Sequence, residues 1–225
     1  MGRTVLSLLF VLFWVSPALA QNGSQYSAEQ VQRLRAAMMQ FIVIAPTDSR
    51  TGKNLTQRIP TQSGIRERVA MYLDPEKCAS DMRDAGGADV MAGVPGSAVD
   101  AIIGTGGEIA WLASESDAFG VKVFYLANER GQELTIDVNG RSVAPFYVSE
   151  ADAIAMQQMA QQALGASANI KLETYRLELL IERIIKGEMS NAHLVSSHSM
   201  AAWVDAYNRG VRLIGKDWAG AGAAN

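Results

Sequence analysis

The apolar pattern of this chain changes period several times, and each change marks an element. Residues 121–126 (VKVFYL) are a run of β-branched and aromatic side chains, which predicts a strand. Residues 128–131 (NERG) make a turn in which Gly131 can take a positive φ. Residues 132–138 (QELTIDV) alternate polar and apolar, as a half-buried partner strand does. Asn139-Gly140 is the dipeptide of a tight hairpin. Residues 142–148 (SVAPFYV) give the next strand. Ser149 then stands as the N-cap of a helix that begins at Glu150, has Asp152 in its first turn and runs to about Leu164.

The same order of signals occurs earlier. Residues 41–44 (FIVI) predict a strand, and a polar turn with Asp48 and Gly52 follows. Residues 54–59 and 68–73 predict two more strands. Asp74 is an N-cap, Pro75 takes the first helical position, and a helix covers 76–84. Tyr72 therefore matches Tyr147 and Asp74 matches Ser149, a shift of 75 residues. A recurring series of strand, turn, strand, strand, cap and helix predicts an internal repeat. Further helices are expected over 28–40, capped by Ser27, with Val31, Leu34, Ala37, Met38 and Phe41 at i, i+3, i+4 spacing. Others are expected over 108–118, 171–186 and 199–214. The Gly-rich linker 86–107 reads as loop around one short helix at 97–103. It has neither the G-K-[ST] ending of a phosphate loop nor the spacing of a dinucleotide turn.

These elements predict a mixed α/β chain of the α+β class. Two pseudo-symmetric β-β-β-α halves, about 28–105 and 107–187, pack with long amphipathic helices. A C-terminal helix at 199–214 completes one domain over 21–217, and 218–225 is expected to be a flexible tail. Residues 1–20 have the form of an export signal. Arg3 precedes an apolar run over 5–15, Ser16 and Pro17 break it, and Ala18-Leu19-Ala20 gives the cleavage pattern, so the mature chain is expected to begin at Gln21. No integral membrane segment is expected after cleavage, which predicts a soluble protein of the periplasm. Arg3 is the one charged residue removed, so the net charge of −3 becomes −4. With no basic run to neutralise phosphates, nucleic acid is not an expected partner.

The residues that carry chemistry are sparse. Cys78 has no partner for an internal disulfide, and its place on an amphipathic helix favours burial. His193 and His198 lie in one polar stretch at i, i+5, which does not place both on one helical face. A zinc site needs three or four converging ligands, so solvated loop histidines are the expectation. No G-x-S-x-G and no C-x-x-C occurs. Glu173, Glu178 and Glu182 alternate with arginines as a solvated helix face does. We therefore expect no catalytic residue, no metal and no cofactor. The ten methionines are more suggestive, because Met adapts to varied apolar partners. Most are expected to pack the core. The sharper reading is an apolar groove for polypeptide formed by Met71, Tyr72, Phe146, Tyr147, Met156 and Met159.

Residues 121–126, the turn at Gly131, and 143–149 (VAPFYVS) running into Glu150-Ala151-Asp152-Ala153 resemble the Tic22-like family. That family pairs a strand ending in a G-x-x-L turn with a P-hydrophobic-F/Y-hydrophobic-S strand that enters a helix. Residues 168–175 (ANIKLETY) sit where the family has an apolar stretch leading to a short helix. The resemblance covers about residues 28–187. It implies two related halves with apolar pockets and a periplasmic protein or its plastid intermembrane relative. It also implies a non-enzymatic, chaperone-like role in outer-membrane protein biogenesis. Partners would be cell-envelope proteins or unfolded client polypeptides. The competing expectation is a structural component of a periplasmic secretion or conjugation machine. A third is an exported hydrolase whose serine or carboxylate meets His193 or His198 in a pocket.

Overall fold

A computed structural model describes residues 25–48, 51, 53–61, 64–84, 91–117, 120–165 and 168–210. The expected export signal (1–20) and tail (218–225) lie outside the described residues. Helix α1 (Ala28–Ala37) opens the fold under a reciprocal cap: Ser27 Oγ accepts from the Gln30 amide, and the Gln30 side chain accepts from the Ser27 amide. Strands β1 (Ile42–Asp48), β2 (Thr56–Thr61) and β3 (Gly64–Tyr72) follow, then α2 (Pro75–Asp84), β4 (Met91–Ser97), α3 (Ala98–Thr105) and β5 (Ile109–Leu112). A two-residue strand, β6 (Ser116–Asp117), leads to β7 (Gly120–Ala127), β8 (Ile136–Val138), β9 (Arg141–Tyr147), α4 (Glu150–Leu164), β10 (Lys171–Arg176), α5 (Leu177–Lys186), β11 (Ala192–Val195) and α6 (His198–Asn208).

The strands form two sheets with matching pairings. In the first, β1 lies antiparallel to β3 and β4, while β3 is antiparallel to β2 and parallel to β5. In the second, β7 lies antiparallel to β9 and β10, while β9 is antiparallel to β8 and parallel to β11. The helices fall at matching places in the two series. α3 and α5 both end at a glycine in the left-handed region, Gly106 (φ 62°) and Gly187 (φ 80°). The α+β class is as expected, but each series is longer than β-β-β-α and continues through a further strand, helix and strand.

Several expected elements change identity. The helix expected over 171–186 is strand β10 followed by α5. Leu172 and Tyr175 have helical spacing, yet they point to opposite faces of β10. Leu172 packs under α4, and Tyr175 packs against the main core. The helix expected over 108–118 is replaced by β5 and β6, because the four residues Ile109–Leu112 gain a parallel ladder with β3. The Gly-rich linker contains β4 as well as α3. β4 pairs with β1 on one side, so Pro95 fits there without breaking an inner ladder. The strand expected over 132–138 shortens to Ile136–Val138, with a single bridge at Ala127–Glu133. The last helix starts at His198 under a Ser197 cap, and Val211 and Ile214 lie outside the described residues. His193, expected in a solvated loop, is on β11, where it is half-buried.

The inner faces of both sheets meet α1, α3 and α5 in one core that includes Leu34, Val43, Ile102, Val123, Phe146, Leu180 and Ile184. The outer face of the first sheet is covered by α2 and α6, through Ile44, Tyr72, Cys78, Met82, Met200 and Trp203. The outer face of the second carries α4, whose Ala153 packs on Phe124 and Tyr147. No helix among the described residues is long and apolar enough to cross a membrane.

Cys78 is fully buried in the second of these clusters. Burial raises its thiol pKa far above the usual range, and the carboxylates of Asp81 and Asp74 push the same way. The thiolate is the reactive form. A thiol reagent is therefore expected to leave the folded chain unlabelled at pH 8 and to label one thiol once urea unfolds it. Fast labelling of the folded chain would place Cys78 at the surface.

Candidate polypeptide-binding surface

The six residues expected to form a groove do not share one surface. Met71 and Phe146 are inside the main core, and the Phe146 ring lies 5.2 Å from Tyr125 and 6.4 Å from Tyr175. Tyr72 is buried under α2, where its hydroxyl donates to Asp81 at 3.1 Å, and Lys77 holds the other oxygen of Asp81 at 2.6 Å. Tyr147 is buried under α4, and Met156 is half-buried beside it. Only Met159 stands out in solvent, 60% exposed. The structure thus leaves Met71, Tyr72, Phe146 and Tyr147 as interior side chains and places Met156 and Met159 on α4, of which Met159 alone faces solvent.

That helix has an unusual outer face. α4 starts where Ser149 Oγ accepts from the Asp152 amide, and Asp152 in turn accepts from the His198 amide at 2.8 Å. Its middle is tied down by Gln157, which donates to the Ile170 carbonyl at 2.7 Å. α4 rests on β7, β9 and β10, and Ala153 is its one fully buried residue. Ile154, Met159 and Leu164 are exposed. No charged residue occurs from 153 to 170 (AIAMQQMAQQALGASANI). The other helices carry charge in or near their solvent faces, as α1 does with Glu29 and Arg35 and α5 with Glu182 and Lys186. At i, i+5 and i+10 these three side chains point in different directions around α4, with Ile154 and Met159 flanking its outer side. What the helix surface has after Asp152 is apolar groups in solvent and no charge, which suits an apolar partner. Sequence reading missed Ile154 and Leu164. The available signal was the 18-residue stretch without charge, more than any single methionine.

One concave place is committed to the fold. A cavity of about 180 Å³ lies where α2, α4 and α6 begin, lined by Leu73, Asp74, Ser114, Val148, Ser149 and Ser197. Its polar groups serve as caps. Asp74 accepts from the amides of Lys77 (2.6 Å) and Ser114 (2.7 Å), and Ser197 accepts from the Met200 amide. Among the described residues, no three His, Cys, Asp or Glu side chains converge to hold a metal ion.

His193 has a lowered pKa. Lost hydration is the main cause, and Arg141 adds repulsion. A hydrogen bond with the Ala36 backbone opposes both. The unfolded chain therefore binds more protons than the native one just below the ordinary histidine value of about 6.5. Stability from this group is complete above that value and declines as pH falls through the native pKa. The parent is expected to lose stability between about pH 7 and pH 5 more steeply than His193→Gln. Equal slopes in urea melts at the two pH values would remove His193 as the source.

No protein-family model and no curated protein matches this chain. Solved structures do. Tic22 from Anabaena, described as a protein-transport protein, superposes with a TM-score of 0.57 at 9% identity, over 78% of this chain and 96% of that one. Tic22 from Plasmodium falciparum superposes with a TM-score of 0.56 at 15% identity, over 79% of this chain and 98% of that one. The fold is Tic22-like, as the resemblance in residues 121–153 implied.

Proposed function

We propose that this chain is an exported, non-enzymatic, chaperone-like protein of the periplasm, built on two copies of one unit. It binds apolar segments of polypeptides during envelope or outer-membrane protein biogenesis. The observation that carries this reading is the surface of α4, uncharged after Asp152, with Ile154 and Met159 flanking its outer side and Leu164 at its end, all in solvent. Burying these side chains against a client would remove apolar surface from water, worth about 25 cal/mol per Å². The methionine chain adapts its shape to whatever it meets. The Tic22-like fold supports the same reading, since the Anabaena relative is described as acting in protein transport. The matching pairings in the two sheets, and the matching glycine ends of α3 and α5, support the two copies.

The test is a photo-crosslinking residue in place of Met159 in the mature chain, offered a client either chemically unfolded or native. Crosslinks are expected to the unfolded client only, and the parent chain is expected to slow that client's aggregation. Absence of crosslinks to the unfolded client, with aggregation unchanged, would overturn the proposal.

A further inference from the structure

We infer that the open face of α4 receives its polypeptide as an amphipathic α-helix, seated there as α6 is seated on α2. This rests on the reading of the two units as copies and of α4 as the binding face. Each of the two helices follows a strand that ends on a buried tyrosine, Tyr72 before α2 and Tyr147 before α4. Aligning Asp74 with Ser149 places Cys78 on Ala153 and Ala79 on Ile154. Cys78 and Ala153 are both fully buried, as residues facing the sheet should be. The next position separates the halves. Ala79 is 1% exposed and shares a buried cluster with Met200 and Trp203 of α6, whereas Ile154 is 39% exposed. The same helix position is therefore roofed by a helix in one unit. In the other it is open and carries a larger apolar side chain.

Three physical points select a helix as the occupant. First, α4 offers side chains and no strand edge. An extended segment lying on it would leave its backbone N–H and C=O groups without partners, while a helix satisfies its own. Second, α4 has no charge beyond Asp152, so a charge on the facing side of the occupant would lose hydration with nothing to replace it. Third, the internal example shows which side chains fit. Met200 and Trp203, three residues apart on one face of α6, are both fully buried. The expected ligand is a helical segment with an uncharged face that carries an aromatic and a flexible apolar residue one turn apart.

The test uses two dye-labelled peptides of about 20 residues on an Ala/Gln host, each with Met and Trp three residues apart. They share one composition: one peptide has a proline at its end, and the other has that proline at its centre, where it breaks the helix. Anisotropy titrations with the mature chain are expected to show the helical peptide binding at least about tenfold tighter. Ile154→Asp and Met159→Asp are each expected to weaken that binding, while Met39→Asp, at an exposed methionine beyond α1, leaves it unchanged. If both peptides bind equally and Ile154→Asp abolishes both, extended segments are the ligand. The helix inference then falls while the functional reading stands. If the helical peptide is indifferent to both α4 variants, the inference also falls, and the crosslinking from position 159 judges the functional reading separately. Circular dichroism matching the parent shows that the variants are folded.

Discussion

Trp203→Ala is expected to lower the stability of the chain by about 3–5 kcal/mol, read as a fall in the urea midpoint at unchanged slope. Trp203 is fully buried, and its ring sits 5.4 Å from that of Tyr207, in the cluster that joins α6 to α2 and to the outer face of the first sheet. Val204 and Tyr207 already pack against the same cluster, so neither is free to fill the space the indole leaves. A second substitution separates packing from hydrogen bonding. The indole Nε1 of Trp203 is buried and meets no acceptor among the described residues. A buried, unpaired donor costs about 1–3 kcal/mol, so Trp203→Phe recovers part of what the smaller ring loses. Phenylalanine is therefore expected to cost far less than alanine. If alanine costs less than about 1 kcal/mol, α6 does not roof α2, and the internal template for a helix on α4 is lost with it.

What could be read in the sequence follows the range of the interaction that forms it. The caps at Ser27, Asp74 and Ser149, the Asn139-Gly140 turn and the strands at β1, β3, β7 and β9 depend on residues a few positions apart, and they lie where expected. The Asn139 and Gly140 φ angles of 54° and 77° are those the hairpin dipeptide demands. Of the strands that were missed, β4, β5, β10 and β11 acquire their identity from distant partners, and only the two-residue β6 pairs with the strand next to it. Ile109 pairs with Val69, Ala192 with Ala144, and Lys171 with Ala127. Their own sequences are short, rich in glycine, or compatible with a helix, so local preference could not decide them. Of the six residues read as a groove, the sequence could not tell the interior ones from the exposed one. Met159 is in solvent on α4 while Tyr147 is buried beneath that helix, and apolar residues such as Phe146 and Met71 read equally well as core or as groove. Only the packing of two sheets around one core decides between those roles.

The pair Phe146→Ala and Met159→Ala tests that division directly. Phe146 is fully buried and touches two aromatic rings in the core shared by both sheets, so alanine there is expected to cost about 3–5 kcal/mol. Met159 is exposed on α4, and alanine has the higher helix propensity, so its stability is expected to stay within about 0.5 kcal/mol of the parent. Binding should divide the other way. Below its unfolding transition Phe146→Ala is expected to hold the helical peptide as the parent does. Met159→Ala is expected to hold it several-fold more weakly while melting with the parent. A residue of the core acts on binding only through the fraction of chain that is folded, whereas a residue of the surface acts on binding alone. If Met159→Ala melts early, the outer face of α4 is part of the packed structure. If Phe146→Ala weakens binding at full folding, the apolar surface reaches into the core, and the six residues read from the sequence form one site after all.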